Sequence, residues 1–144
     1  MNILFLISSL NYGGAEKQTV LDANLISDNA ISRDDKVFVF SFEDGPLRNS
    51  LSSNIVYIKL DKGNYISAAK RLATFIKEYS IDIVHASLFA PMIISALSTL
   101  FVKANVIWHF HSHEYDVPLK SRLAFWIFAK FKFVRKILFV NHEL

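Results

Sequence analysis

The densest polar cluster in the chain is "IWHFHSHEYD", residues 107–116. On an extended strand side chains alternate between faces, so His109, His111 and His113 share one side, and Trp108 and Phe110 the other. Histidines spaced in this way can bind zinc, and Glu114 and Asp116 are available to complete such a site. A strand ending near His111 would break the alternation, and no second ligand motif occurs elsewhere. Neutral histidine also donates hydrogen bonds to phosphate or sugar hydroxyls and shuttles protons. Both chemistries stay open at this point.

Two further stretches carry chemistry. "NYGGAEKQ", residues 11–18, follows an apolar run and precedes helical spacing. The first amides of a helix lack intrahelical partners and carry partial positive charge, so an anion can dock there. Gly13 and Gly14 have no Cβ and allow close approach. An ordinary tight turn explains the pair equally well. The stretch is neither a G-x-G-x-x-G fingerprint nor a G-K-[ST] phosphate loop, which disfavours dinucleotide binding of the usual kind. "DIVHAS" places His85 near a strand end, where a lone histidine is more often a structural hydrogen-bonder than a catalyst.

A fourth stretch is "KSRLAFWIFAKFKFVRK", Lys120–Lys136. Six basic residues and no acidic one lie between Asp116 and Glu143. Wound as a helix, Leu123, Ile127, Phe131 and Val134 make a core-facing stripe. The other side mixes Arg122, Lys130, Lys132 and Lys136 with Phe125, Trp126 and Phe133. Large aromatics among lysines suit an interfacial membrane surface, where each basic group near an anionic leaflet adds about 1 kcal/mol. Burial of the aromatics by a neighbouring domain is the alternative. Nucleic acid is disfavoured because no binding motif accompanies the charge.

These groups must be held by regular elements. Asn2–Ile7 is a continuous apolar run of strand length, as in a strand buried on both faces. Ala15–Ser27 has helical spacing, with Ala15, Thr19, Leu21, Leu25 and Ile26 on one side. Lys36–Phe42 and Ile55–Leu60 predict strands, and Pro46 opens a short helix through Ser52. The next helix carries Ile66, Ala69, Leu72, Ala73 and Ile76 on one face. Ile81–Ala86, Asn105–His111 and Lys136–Val140 predict three more strands, with helices over Pro91–Val102 and Leu119–Phe133. Strands alternating with helices imply an α/β fold, a doubly wound, Rossmann-like parallel sheet with helices on both faces. No linker or repeat divides it, so residues 1–144 are expected to form one domain.

Composition sets the outer bounds. Of 144 residues, 52% are hydrophobic and 20% charged, which excludes disordered and collagen-like classes. Cysteine is absent, ruling out disulfides and thiolate chemistry. Residues 83–102 carry no Asp, Glu, Lys or Arg, but His85, Pro91 and four Ser/Thr residues favour a strand and a buried helix over a membrane span. "MNILFLISSL" lacks the basic region and cleavage site of an export signal. The last strand stops a few residues before Leu144, where a covering helix would begin, so the chain reads as part of something larger.

In order and spacing, "ILFLISSLNYGGAEKQ", "GPLRNSL", "DIVHAS", "WHFHSHE" and "ILFVNHEL" make the chain resemble the N-terminal, acceptor-side domain of GT-B fold glycosyltransferases of the retaining family-4 type. The resemblance implies a hexosyltransferase of bacterial polysaccharide biosynthesis. Its partners would be a nucleotide-sugar donor and a glycan or lipid-linked acceptor, with no further cofactor, no metal and no nucleic acid. It puts Gly13, Gly14, Glu16, His85, His109 and Glu114 in the substrate cleft and His111 in the catalytic position. The donor-binding half, with its Glu-x7-Glu signature, would be supplied in cis or as a separate chain, leaving this chain inactive alone. Asn141 stands where the family usually has serine. The implied location is cytoplasmic, at the inner face of the cell membrane. A non-catalytic module recruiting a partner chain to the membrane, and a metal-dependent hydrolase built on His109 and His111, are the competing expectations.

Overall fold

The computed structural model describes residues 1–30, 34–111, 123, 126–128, 130 and 134–139. Six parallel strands form one sheet in the order β3-β2-β1-β4-β5-β6. They are β1 (Asn2–Ser9), β2 (Lys36–Glu43), β3 (Val56–Lys59), β4 (Ile83–Ser87), β5 (Asn105–Phe110) and β6 (Val134–Phe139). Joined to them are α1 (Gly14–Asp28), α2 (Tyr65–Glu78) and α3 (Phe89–Ser98), with a short 3-10 turn at Pro46–Ser50.

The central strand β1 pairs with β2 on one side and β4 on the other, Phe5 opposing Val39 and His85. The two-residue alternation of strands sorts its apolar run into two cores. Leu4 and Leu6 join Phe38, Phe40, Val84, Val106 and Trp108 beneath α2 and α3. Ile3, Phe5 and Ile7 join Val37 and Val39 beneath α1. Right-handed crossovers explain the division: the chain winds one way from β1 to β3 and reverses between β3 and β4.

The long uncharged stretch resolves into β4 and the ten-residue helix α3, which is too short to cross a bilayer. Its hydroxyls are satisfied within the helix, Ser95 donating to the Met92 carbonyl at 2.7 Å and Ser98 to that of Ser95 at 2.7 Å. Among the described residues no helix is long and apolar enough to span a membrane.

Three expected stripes need correction. In α1 the buried residues are Ala15, Thr19, Val20 and Ala23, whereas Leu21, Leu25 and Ile26 are exposed. Small side chains seat this helix close on the sheet, and the leucines overhang a part of the face that no described element covers. In α2, Ile66 is exposed while Ala68 takes a buried place. Leu123 and Ile127 are exposed, and Phe128 instead packs against the Trp108 core. Lys136 lies exposed in β6, not in the preceding helix, because β6 begins at Val134. Phe131 is outside the described residues.

Candidate functional site

In a sheet of this order the ligand crevice opens at the carboxyl edge between β1 and β4, where the winding reverses. The glycine loop leaves β1 at that edge. Gly13 is the N-cap of α1 in extended conformation (φ −166°, ψ 167°), and no side chain caps the helix. Neither glycine has a positive φ, so neither is required by backbone conformation. A Cβ on Gly13 would meet Glu16 Oε2 at 2.1 Å, so the Glu16 side chain folds over this residue, while Gly14 has open space around it. Glu16 is also the acidic group of the first helical turn, where it favours the helix dipole.

The histidines stand on the neighbouring strands. His85 in β4 and His109 in β5 project from the α1 face, and His111 follows directly after β5. Their rings form a row: Phe5 to His85 5.1 Å between centroids, His85 to His109 5.2 Å, His109 to His111 3.9 Å. The alternation read from the sequence thus holds for His109 and His111, with Trp108 and Phe110 buried opposite. His113, Glu114, Arg122, Phe125, Lys132 and Phe133 lie outside the described residues.

Burial keeps the row uncharged. It pushes His85 down to about 4, with the neighbouring His109 adding to the effect and Asp22 opposing it. His109 and His111 are lowered for the same first reason, again against Asp22. The buried ring nitrogens His85 Nδ1, His109 Nδ1 and His111 Nε2 have no hydrogen-bond partner. Neutral imidazoles with free nitrogens can donate to, or accept from, a ligand hydroxyl or phosphate oxygen. Among the described residues no three His, Asp or Glu side chains form a metal-binding group, which leaves the hydrolase alternative without a described ligand set.

Two contributors were missed in the sequence. Asp22 lines a groove of about 220 Å³ with Phe5, Ile83, His85 and Ile107, and is held by Gln18 Nε2 at 2.8 Å. Its spacing of three from Thr19 and seven from Ala15 was the available signal. Leu88, closing β4, has φ 73° and ψ 157°, a region almost confined to glycine and costing about 1–3 kcal/mol. Nothing in its residue type announces this. The adjoining Ser87 accepts from Thr19 Oγ1 at 3.4 Å, tying α1 to the end of β4 below the crevice.

An all-parallel sheet whose winding reverses between β3 and β4, with helices on both faces, defines a Rossmann-like α/β domain. The model for Glycosyltransferase Family 4 matches residues 24–144, and the chain belongs to that family. Two solved structures share the fold. A glycosyltransferase from Rickettsia africae ESF-5 aligns with a TM-score of 0.71 at 22% identity, over 96% of this chain and 36% of that one. Anabaena Alr3699/HepE, solved in complex with UDP and glucose, aligns at 0.68 and 18% identity, over 94% of this chain and 37% of its own. The chain therefore spans little more than a third of these structures. No curated protein sequence matches it significantly.

Proposed function

We propose that this chain is the acceptor-binding half of a hexosyltransferase that moves a sugar from a nucleotide-sugar to a membrane-linked or cell-surface glycan. What carries the reading is an uncapped helix N-terminus at the glycine loop and a row of neutral histidines with unpartnered nitrogens, both within a family-4 chain. Transfer makes a bond from an acceptor hydroxyl oxygen to the anomeric carbon and breaks the bond to the nucleoside diphosphate, whose leaving oxygen gathers negative charge and takes up the acceptor's proton. The first amides of α1 are suited to that charge, because they are preorganised and need no side-chain rearrangement other than withdrawal of Glu16. His111, uncharged at neutral pH, hydrogen-bonds in the crevice, and His109 and His85 stand behind it.

The exposed helical residues support the membrane part of the reading, with an altered residue set. Leu123, Trp126 and Ile127 are 64%, 65% and 55% exposed, and their spacing puts them on one side. Lys130 is exposed beyond them. An apolar ridge flanked by a cation is the pattern of an interfacial helix, at the inner face of the cell membrane in this reading.

The donor-binding half is supplied in cis or by a partner chain. With it present, His111→Ala is expected to cut turnover by about 10²–10⁴ while the far-UV circular dichroism stays unchanged. Near-normal turnover overturns the role of His111. Co-sedimentation with phosphatidylglycerol vesicles tests the ridge. Trp126→Ala should weaken binding, and binding indifferent to this change and to anionic lipid counts against it.

A further inference from the structure

The stretch "EDGPLRNSL", residues 43–51, has no part in the chemistry above, yet its backbone lies directly against the start of the glycine loop. Leu10 N donates to the Glu43 carbonyl at 3.3 Å, and Leu47 N donates to the Leu10 carbonyl at 3.0 Å. Between these bonds Gly45 lies directly against the chain. A Cβ there would fall 2.2 Å from Leu10 C, 2.3 Å from Leu10 O and 2.4 Å from Asn11 N. All three atoms are backbone, so no side chain can swing away to relieve the overlap. Gly45 itself is extended (φ −175°, ψ 171°), a conformation open to any residue, so the requirement is for space alone.

The turn that presents Gly45 is itself braced. Asp44 accepts from the Gly45 amide at 2.8 Å and from Arg48 Nη1 at 2.9 Å. The Arg48 guanidinium lies 4.6 Å from the centre of the Tyr57 ring, and the Tyr57 hydroxyl is 2.9 Å from Ser41 Oγ. Strands β2 and β3 thus hold the turn, and the turn holds Leu10–Asn11, three residues before the N-cap of α1.

We propose that Gly45, braced by Asp44, Arg48 and Tyr57, is a positioning residue that sets the glycine loop where its amides meet a diphosphate. The proposal rests on the glycosyltransferase reading of that loop. A shift near 1 Å in such a site is enough to weaken it by orders of magnitude, so a single methyl at residue 45 acts on Gly13 and Gly14 without touching the ligand.

The test uses the ¹⁵N-labelled chain and inorganic pyrophosphate as the probe. Gly45→Ala should move the amide resonances of Leu10, Asn11 and Gly13 and weaken pyrophosphate binding about tenfold. Arg48→Ala, an exposed position that leaves the fold intact, should do the same to a smaller degree. Leu72→Ala, which lowers stability from the opposite core, should leave both readouts unchanged. Loop resonances that stay in place in Gly45→Ala, or a Leu72→Ala variant that weakens binding equally, would overturn the proposal. Failure of the wild-type chain to bind pyrophosphate overturns the anion reading of the loop, and the resonance shifts still decide whether Gly45 positions it.

Discussion

The two faces of the sheet are built to different ends. On the α2–α3 face the strands supply Leu4, Leu6, Phe38, Phe40, Val84, Val106 and Trp108, all 0% exposed. The one polar atom of Trp108 is matched there, its Nε1 donating to Ser95 Oγ at 3.2 Å. On the α1 face β1 and β2 add a second buried core of Phe5, Ile7 and Val39, while β4 and β5 supply Ile83, His85, Ile107 and His109, half-buried, and one ring nitrogen each of His85, His109 and His111 is unmatched. Adjacent residues of one strand, Trp108 and His109, thus belong to different tasks. The α2–α3 face is packed throughout, whereas the β4–β5 part of the α1 face accepts a desolvation cost to keep its histidines neutral.

The largest test of this contrast is Trp108→Ala, which should lower the unfolding free energy by about 3–5 kcal/mol in urea titrations at pH 7. A loss near 1 kcal/mol would show that the α2–α3 face is not packed as described. Next comes pH. His85 is held to about 4 in the fold against 6.5 in the unfolded chain, so unfolding takes up a proton between these values. Its share of stability is complete above 6.5 and declines as pH falls toward 4, on the order of 3 kcal/mol in all. His85→Leu should remove that part of the pH slope, and an unchanged slope would mean that His85 is not desolvated as described.

Smaller effects sharpen the same comparison. Gly14→Ala places a methyl in open space and should raise stability by about 0.5 kcal/mol, while pyrophosphate binding falls. Stability that drops instead would mean that the loop is packed rather than open. Leu25→Ser, on the overhanging side of α1, should change stability by less than about 0.5 kcal/mol. A Leu72→Ala loss of about 2–5 kcal/mol is the matching value from the covered face.

Much of the framework was legible because strands and helices announce themselves by period. The apolar runs "NILFLI" and "KVFVFSF" marked buried strands, and the alternation in "IWHFH" separated His109 from Trp108. Helical stripes were legible only in part. A stripe shows which residues can share a side, whereas burial depends on what lies over that side. Leu21 and Leu25 were therefore assigned to a core that is in fact filled by Ala15 and Ala23. The same limit applies to Leu123 and Ile127, which share a side of their helical turn that faces away from the Trp108 core. The site was legible as separate motifs, but the 3.9 Å approach of His109 and His111 and the positive φ of Leu88 were not.

By itself the sequence determined the kinds of element, their order, the absence of thiol chemistry and the residues able to act as anion, hydroxyl or proton partners. Those follow from local rules of spacing and side-chain type. Only the tertiary structure decided which of them meet. The reversal of winding between β3 and β4 opens the crevice. The register of β4 on β5 lines up three histidines. The contact of Gly45 with Leu10 and Asn11 depends on two segments 34 residues apart arriving within van der Waals distance. Each is a relation between distant parts of the chain, set by packing rather than by any local run of residues.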